Sequence, residues 1–212
     1  MIRCRVCNSG EAFAFQTVAK CDYWRCTLCQ ATFIDAKHLP DEETERKRYT
    51  LHENDPNDAG YRHFLSKLAN PLLKRLPQSQ QGLDFGCGTG PALAHMLTEA
   101  GHSVRLYDPF FHPDTSALAR TYDFITCTET AEHFHRPAEE FARLNTLLRP
   151  GGILAIMTCF QTDDSRFADW HYRRDETHVV FYREETFRHL AAQFAWQCEI
   201  PVKDVALMFK SA

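Results

Sequence analysis

An α/β fold is what this sequence predicts, on three observations. Gly82 to Ala100 reads as a buried strand, a glycine-rich turn and a helix; His102 to Asp108 reads as a second strand ending in an acid; and Trp196 to Lys210 reads as a closing pair of strands. The expected architecture is a Rossmann-like sheet, mainly parallel, with a terminal antiparallel strand. A small zinc ribbon precedes it, and the third strand is reduced or missing. The domains expected are the ribbon at 1–40, a helical arm over the site at 41–80, and a ligand-binding domain at 81–212 with a cap loop at 160–182.

The turn comes first because everything else is placed around it. Leu83 and Phe85 supply the apolar strand, and Gly86, Gly88 and Gly90 permit positive φ and a close approach of ligand to backbone. Pro91 suits a first helical turn. Leu93, Met96, Leu97 and Ala100 then recur at helical spacing. Such a unit offers backbone N–H groups and a helix N-terminus to a polar or anionic ligand. A P-loop would require Gly-Lys-Ser/Thr, which is absent, and the dinucleotide fingerprint would require glycine where Pro91 stands. S-adenosylmethionine remains. Asp84-Phe85-Gly86-Cys87-Gly88-Thr89-Gly90 resembles, residue by residue, the first motif of the class I methyltransferases: an acid, an apolar residue, then G-x-G-x-G.

Composition sets the bounds. The chain has 212 residues, 44% hydrophobic and 25% charged, enough for one ordinary domain plus an appendage. No apolar run approaches the length of a membrane span, and Met1-Ile2-Arg3-Cys4 opens no apolar signal core. A reducing cytoplasm is therefore expected, in which nine cysteines read as thiols or metal ligands. A net charge of −4 argues against a nucleic-acid partner.

Cys4-x-x-Cys7 and Cys26-x-x-Cys29 lie 18 residues apart, a zinc-ribbon spacing. Four thiolates suit a closed, tetrahedral, structural site, though they accept zinc or iron. Strand-like pieces at Ala12–Phe15, Tyr23–Trp24 and Thr32–Ile34 surround the pairs. Cys21 is the spare thiol, or the replacement for Cys26 should the turn differ. Five basic residues against three acids give the module +2, and a metal held by four thiolates contributes about −2, so it is near neutral. A structural or lid role is expected of it rather than nucleic-acid binding.

Downstream, Asp41 to Arg48 is a charged, helix-prone run. Tyr61, Phe64, Leu65, Leu68, Leu72, Leu73 and Leu76 form an amphipathic helix with an interruption expected near Asn70-Pro71. The resemblance implies that this arm lies over the cofactor, which makes Tyr49, His52 and Tyr61 pocket candidates.

Asp108 ends the second strand, where a carboxylate accepts hydrogen bonds from ribose hydroxyls in nucleotide-binding α/β folds; the resemblance gives it that role here, with Pro109 and Phe110 beside the adenine. Only Pro109 to Tyr122 separate it from the next strand, so the usual third helix–strand pair is compressed. Asp123 to Glu129 reads as the fourth strand, and Leu148-Arg-Pro-Gly-Gly-Ile to Met157 as a helix stop, a turn and a buried strand. The run from Tyr122 through Phe134 and the run from Leu147 to Thr158 resemble the later motifs of the same family. They imply that Thr128 and Glu129 touch cofactor and that Glu132-His133 is structural or lines the cofactor pocket.

Gln161 to Tyr182 is polar, aromatic and histidine-rich, at a place where strand ends open onto the ligand crevice. Asp175-Glu-Thr-His178-Val-Val-Phe-Tyr182 resembles a stretch of related methyltransferases, including zinc-bearing enzymes acting on sugars. His178 is the first candidate for a general base, with His52 the other, because a neutral imidazole suits proton removal near pH 7. His171 is a weaker candidate, and Arg173 and Arg174 could receive an acidic acceptor. A last helix on Phe187, Leu190, Ala191 and Phe194 precedes two strands, expected to be joined by a turn containing Pro201.

The function expected is methyl transfer from S-adenosylmethionine to an oxygen or carbon of a small-molecule acceptor. An RNA methyltransferase with a zinc recognition module and a non-catalytic scaffold are the rivals.

Overall fold

The structure, a computed structural model, describes residues 2–51 and 54–212. His52 lies outside the described residues.

Two sheets make the frame. The larger has six strands, β5 (Gln81–Phe85), β6 (Ser103–Tyr107), β7 (Tyr122–Thr128), β8 (Leu148–Met157), β10 (Gln197–Val202) and β11 (Val205–Phe209), in the order β10-β11-β8-β7-β5-β6. Its centre is parallel, β6 to β5, β5 to β7 and β7 to β8, and β11 runs antiparallel against β8. The sheet ends at β6: a 3-10 turn at Thr115–Ala119 stands where a third helix and strand would fit, because 14 residues from Pro109 to Tyr122 are too few for both.

Alternation along the central strands sorts the core. Phe124, Ile153, Ala155 and Met157 face one side, where they pack on Leu65, Leu68 and Leu72 of α2 (Ala59–Leu73) and Leu93 and Leu97 of α3 (Ala92–Glu99). Ile125, Cys127, Leu154 and Ile156 face the other, against Phe141 and Leu144 of α4 (Pro137–Leu147) and Phe187 and Leu190 of α5 (Glu184–Gln193). Period-2 burial on both faces is what a doubly covered parallel sheet demands.

The ribbon is the second sheet: β1 (Ile2–Arg3), β2 (Glu11–Val18), β3 (Cys21–Cys26) and β4 (Thr32–Ile34), all antiparallel. It takes a fifth strand, β9 (Val180–Phe181), from the distal end of the chain, with Thr32 opposite Phe181 and Phe33 opposite Val180. Its buried side chains Tyr23, Phe33 and Ile34 join the α4–α5 face of the larger domain in one core.

Three local expectations are corrected. The arm helix is not interrupted: α2 runs through Pro71, which sits in its last turn, so only the Lys67 carbonyl loses a backbone donor before the helix ends. Strand β8 begins at Leu148, and Pro150-Gly151-Gly152 is a kink inside it, with Gly151 at φ 76° and a register shift against β7. The terminal hairpin turns at Lys203-Asp204, with Asp204 at φ 69°; Pro201 lies within edge strand β10, where a missing N–H is tolerated. The charged run is α1 (Glu42–Tyr49), capped by Asp41 accepting from the Thr44 N–H, with no buried residue.

Candidate functional site

The cysteine cluster is built by two local turns. Cys4, Cys7, Cys26 and Cys29 are each at most 1% exposed, and their sulfurs all lie within 4.8 Å of one another. The Cys4–Cys29 and Cys7–Cys26 separations are both 3.7 Å. Four sulfurs each about 2.3 Å from one metal ion would stand about 3.8 Å apart along tetrahedral edges, so the set fits a metal as placed. Backbone N–H groups of Val6, Leu28 and Cys29 point at Cys4 and Cys26 sulfurs, as thiolates require. The close Cys29 thiol holds Cys4 well below the usual thiol range. Gly10 has no alternative, since a Cβ there would lie 2.5 Å from the Cys26 sulfur. Cys21, partly exposed at the start of β3, stays outside the cluster.

The principal cavity, about 950 Å³, opens at the C-terminal ends of the parallel strands. One wall is the glycine turn. The N–H groups of Gly86 and Cys87 both reach the Tyr107 carbonyl, and Gly86 takes φ 77° with the Thr130 side chain where a Cβ would go. Gly90 lies against the backbone of Asn54, so a side chain there would displace the arm. Asp108 pins this wall: one oxygen accepts from Gly88 N–H at 3.0 Å, the other from the N–H groups of Phe110 and Phe111 at 2.9 and 3.0 Å. Asp84, 4% exposed, accepts from the Thr126 hydroxyl at 2.7 Å, and burial raises its carboxyl to about 6.

The facing wall is acidic and imidazole-rich. Glu129, at φ 48° just past β7, is pushed up to about 9 by burial and by the Glu132 charge. Glu132 is fully buried, and burial raises its carboxyl too. The Tyr172 hydroxyl joins these groups, donating to Glu132 at 2.5 Å, with Glu129 at 3.2 Å and the Thr158 hydroxyl at 3.0 Å. The imidazoles of His133 and His178 meet edge to face at 4.7 Å. Each turns its Nδ1 to a backbone carbonyl, His133 to Thr177 at 2.9 Å and His178 to Tyr172 at 2.7 Å, which makes Nδ1 the protonated nitrogen and leaves the lone pair on Nε2. Burial lowers the His178 pKa, against the Glu132 charge, so it is neutral at pH 7.

Asp84, Phe85, Gly86, Cys87, Gly88, Gly90, Asp108, Pro109, Thr128, Glu129, Tyr61 and His178 all line this one cavity, although they come from the arm, the turn, three strand ends and the cap. Tyr49 and Phe110 line it as well; His171, Arg173 and Arg174 do not. Two contributors to the site carry little signal in the sequence. Asn54 carries no signal beyond a turn-rich stretch, and Tyr172 is one aromatic among many, the two carboxyls its hydroxyl meets lying 40 or more residues away.

A methyltransferase-domain family model matches residues 58–199, two thirds of the chain. No curated protein matches the chain by sequence. Among solved structures, the chain is similar to Burkholderia thailandensis 1,6-didemethyltoxoflavin-N1-methyltransferase, solved with that compound and S-adenosylhomocysteine: TM-score 0.55, 17% identity, 95% of this chain and 100% of that one covered. It is also similar to the sugar N-methyltransferase KedS8 of a Streptoalloteichus species (TM-score 0.51, 16% identity, 70% and 87% covered) and to an O-methyltransferase family protein of Burkholderia thailandensis (0.50, 14%, 79% and 63%). With the glycine turn, the closing antiparallel strand and the family match in agreement, the chain belongs to the methyltransferase-domain family and is an S-adenosylmethionine-dependent methyltransferase.

Proposed function

We propose that the acceptor is a small molecule methylated at oxygen or carbon, with S-adenosylhomocysteine released, and that the cysteine cluster holds a structural zinc ion. One observation carries the acceptor reading: the glycine turn and the side chains of Glu129, Glu132 and His178 line a single cavity of small-molecule size.

S-adenosylmethionine supplies an electrophilic methyl group on a sulfonium. The residues of this chain do the rest. Asp108, Tyr61 and the glycine turn hold and orient the cofactor, and Asp84 offers a carboxylate to its cationic end. Most of the acceleration then comes from positioning the two reactants in line. An oxygen or carbon acceptor must lose a proton. His178 is placed to take it on Nε2, with its ring oriented by the Tyr172 carbonyl. The near-neutral ribbon, built into the same core as α4 and α5, supports a structural role for its metal. The two neighbours named for N-methylation act on small molecules, which supports the size class of the acceptor and not the atom.

Calorimetric titration of the zinc-loaded protein with S-adenosylmethionine and S-adenosylhomocysteine tests the cofactor assignment. Binding of both is expected, weakened by at least about tenfold in Asp108→Asn, since a charged hydrogen-bond partner is worth about 1.5–3 kcal/mol. No binding by the folded protein would move the scaffold reading ahead. Salt-dependent RNA binding would favour the RNA rival.

A further inference from the structure

We propose that Glu132, His133 and His178 form a divalent-cation site in the cavity wall, one that seats an oxygen atom of the methyl acceptor. The inference deepens the small-molecule reading above and rests on it for the acceptor, though not for the cation.

Three observations carry it. First, each of these residues offers a ligand atom within 4.8 Å of the other two, and all three line the cavity. His133 Nε2 stands 3.9 Å from Glu132 Oε1, a span one ion can bridge. Second, both imidazoles are tied through Nδ1 to backbone carbonyls, of Thr177 and Tyr172. Histidine ligands are held in this way, because the outer hydrogen bond fixes the ring and directs the Nε2 lone pair at the metal. Third, Glu132 is fully buried, and while Tyr172 donates to its Oε1, its Oε2 has no hydrogen-bond partner among the described residues. A buried carboxylate oxygen left in that state is costly, and a cation removes the cost.

The donor set indicates the kind of ion. Two imidazoles and one carboxylate, with further positions open to the cavity, suit a first-row divalent cation such as Mn²⁺, Fe²⁺, Co²⁺ or Zn²⁺. Four thiolates in the ribbon select differently, so the two sites need not compete for the same ion. The open positions suit an acceptor that brings oxygen, best a hydroxyl beside a second hydroxyl or a carbonyl. A hydroxyl on the cation ionises near neutral pH, its proton passing to water. The oxygen then bonds to the methyl carbon as the carbon–sulfur bond breaks and its electron pair stays on sulfur. With a cation bound, His178 is a ligand and no longer the base.

Mn²⁺ is the probe, because it is a poor match for thiolates. Zinc-loaded protein is titrated with Mn²⁺ and followed by the electron paramagnetic resonance of the free ion, with S-adenosylhomocysteine binding measured on the same samples. One Mn²⁺ per chain is expected. Affinity should fall at least about tenfold in Glu132→Gln and in His178→Ala, since even the outer partners of metal ligands are worth about 10–100-fold. His171→Ala, outside the cavity, should bind as the parent does. In the unaltered protein, Mn²⁺ should broaden the imidazole proton resonances of His133 and His178 before other histidines, a readout that survives any folding failure of the variants. Absence of binding by folded protein, binding retained in both variants, or broadening elsewhere would overturn the site. If S-adenosylhomocysteine binds and Mn²⁺ does not, the methyltransferase site stands and the cation site falls. The reverse result leaves the cation site standing without the cofactor assignment.

Discussion

The ribbon and the cavity bury polar groups in opposite ways. In the ribbon, buried polar groups are paired: Cys26 receives the N–H groups of Leu28 and Cys29, Arg25 donates to Thr32 and to Asp164 of the cap, both at 2.7 Å, and Trp24 donates to Asp35 at 3.0 Å. In the cavity, three carboxyls sit away from water, and Glu132 Oε2 has no hydrogen-bond partner among the described residues. Asp84 is raised to about 6, Glu129 to about 9, and Glu132 also upward, each first by burial. The ribbon is built for stability. The cavity holds acids that burial biases toward their neutral form and that a cationic ligand would keep ionised, and proteins retain such sites when function needs them.

The two regions meet at Val179. Its carbonyl accepts from Ile34 N–H in the ribbon at 3.0 Å, and its own N–H donates to the Glu132 carbonyl at 2.8 Å. His178 is the next residue back. A lost ribbon should therefore disturb the acidic wall and spare the glycine wall.

The largest effect expected is that of Cys29→Ser, or of stripping the proposed zinc ion with a chelator. Either should cost more than about 4 kcal/mol, because metal binding supplies much of the folding free energy of such modules. Denaturant unfolding measures the loss. Hydrogen exchange sharpens the comparison: the amides of Ile34 and Val179 should exchange faster while those of β5 and β7 stay protected. Uniform acceleration would show that the ribbon and cavity are one cooperative unit.

Asp84→Asn should act with the opposite sign. A carboxyl whose folded pKa lies above its unfolded value contributes stability below about pH 4, and that contribution is lost as pH rises through about 6. At about pH 8 the deficit amounts to about 3 kcal/mol at most. The variant should then raise Tm by several degrees at about pH 8 and leave it unchanged at about pH 3.5, since Asn can still accept from Thr126. It should also bind S-adenosylmethionine more weakly. A Tm gain that does not depend on pH would remove buried charge as the cause.

The smallest effect is expected at the tie between arm and cap. Arg48 pairs with Asp175 at 2.7 Å, and although burial of Asp175 opposes it, this guanidinium and the Thr177 contacts hold the carboxyl below the usual range. Arg48 is 41% exposed. Arg48→Ala should therefore cost at most about 1 kcal/mol by denaturant unfolding. A larger loss would show that the arm takes part in the stability of the wall containing His178.

Legibility followed sequence distance. The ribbon and the glycine turn could be read directly, because a C-x-x-C knuckle and an acid–x–G-x-G-x-G turn are complete within a few residues and their geometry follows from spacing. The missing third strand was legible too, as a shortage of residues between Asp108 and Tyr122. What was misplaced was the fine structure of turns. Pro71, Pro150 and Pro201 all read as breaks, and all lie inside elements that tolerate them, by helix end, by kink and by sheet edge.

By itself, then, the sequence determined a cluster of four cysteines, a glycine turn with an acid at the end of the next strand, and a sheet closed by an antiparallel strand, since each is encoded by neighbours along the chain. Only the tertiary structure decided that β9 would complete the ribbon sheet, that Asn54 would lie across Gly90, and that Tyr172 would join Glu129 to Glu132 beside His133 and His178. Those contacts join residues some 35 to 150 positions apart. They exist because two sheets share one hydrophobic core, and no local pattern records which side chains a shared core will bring face to face.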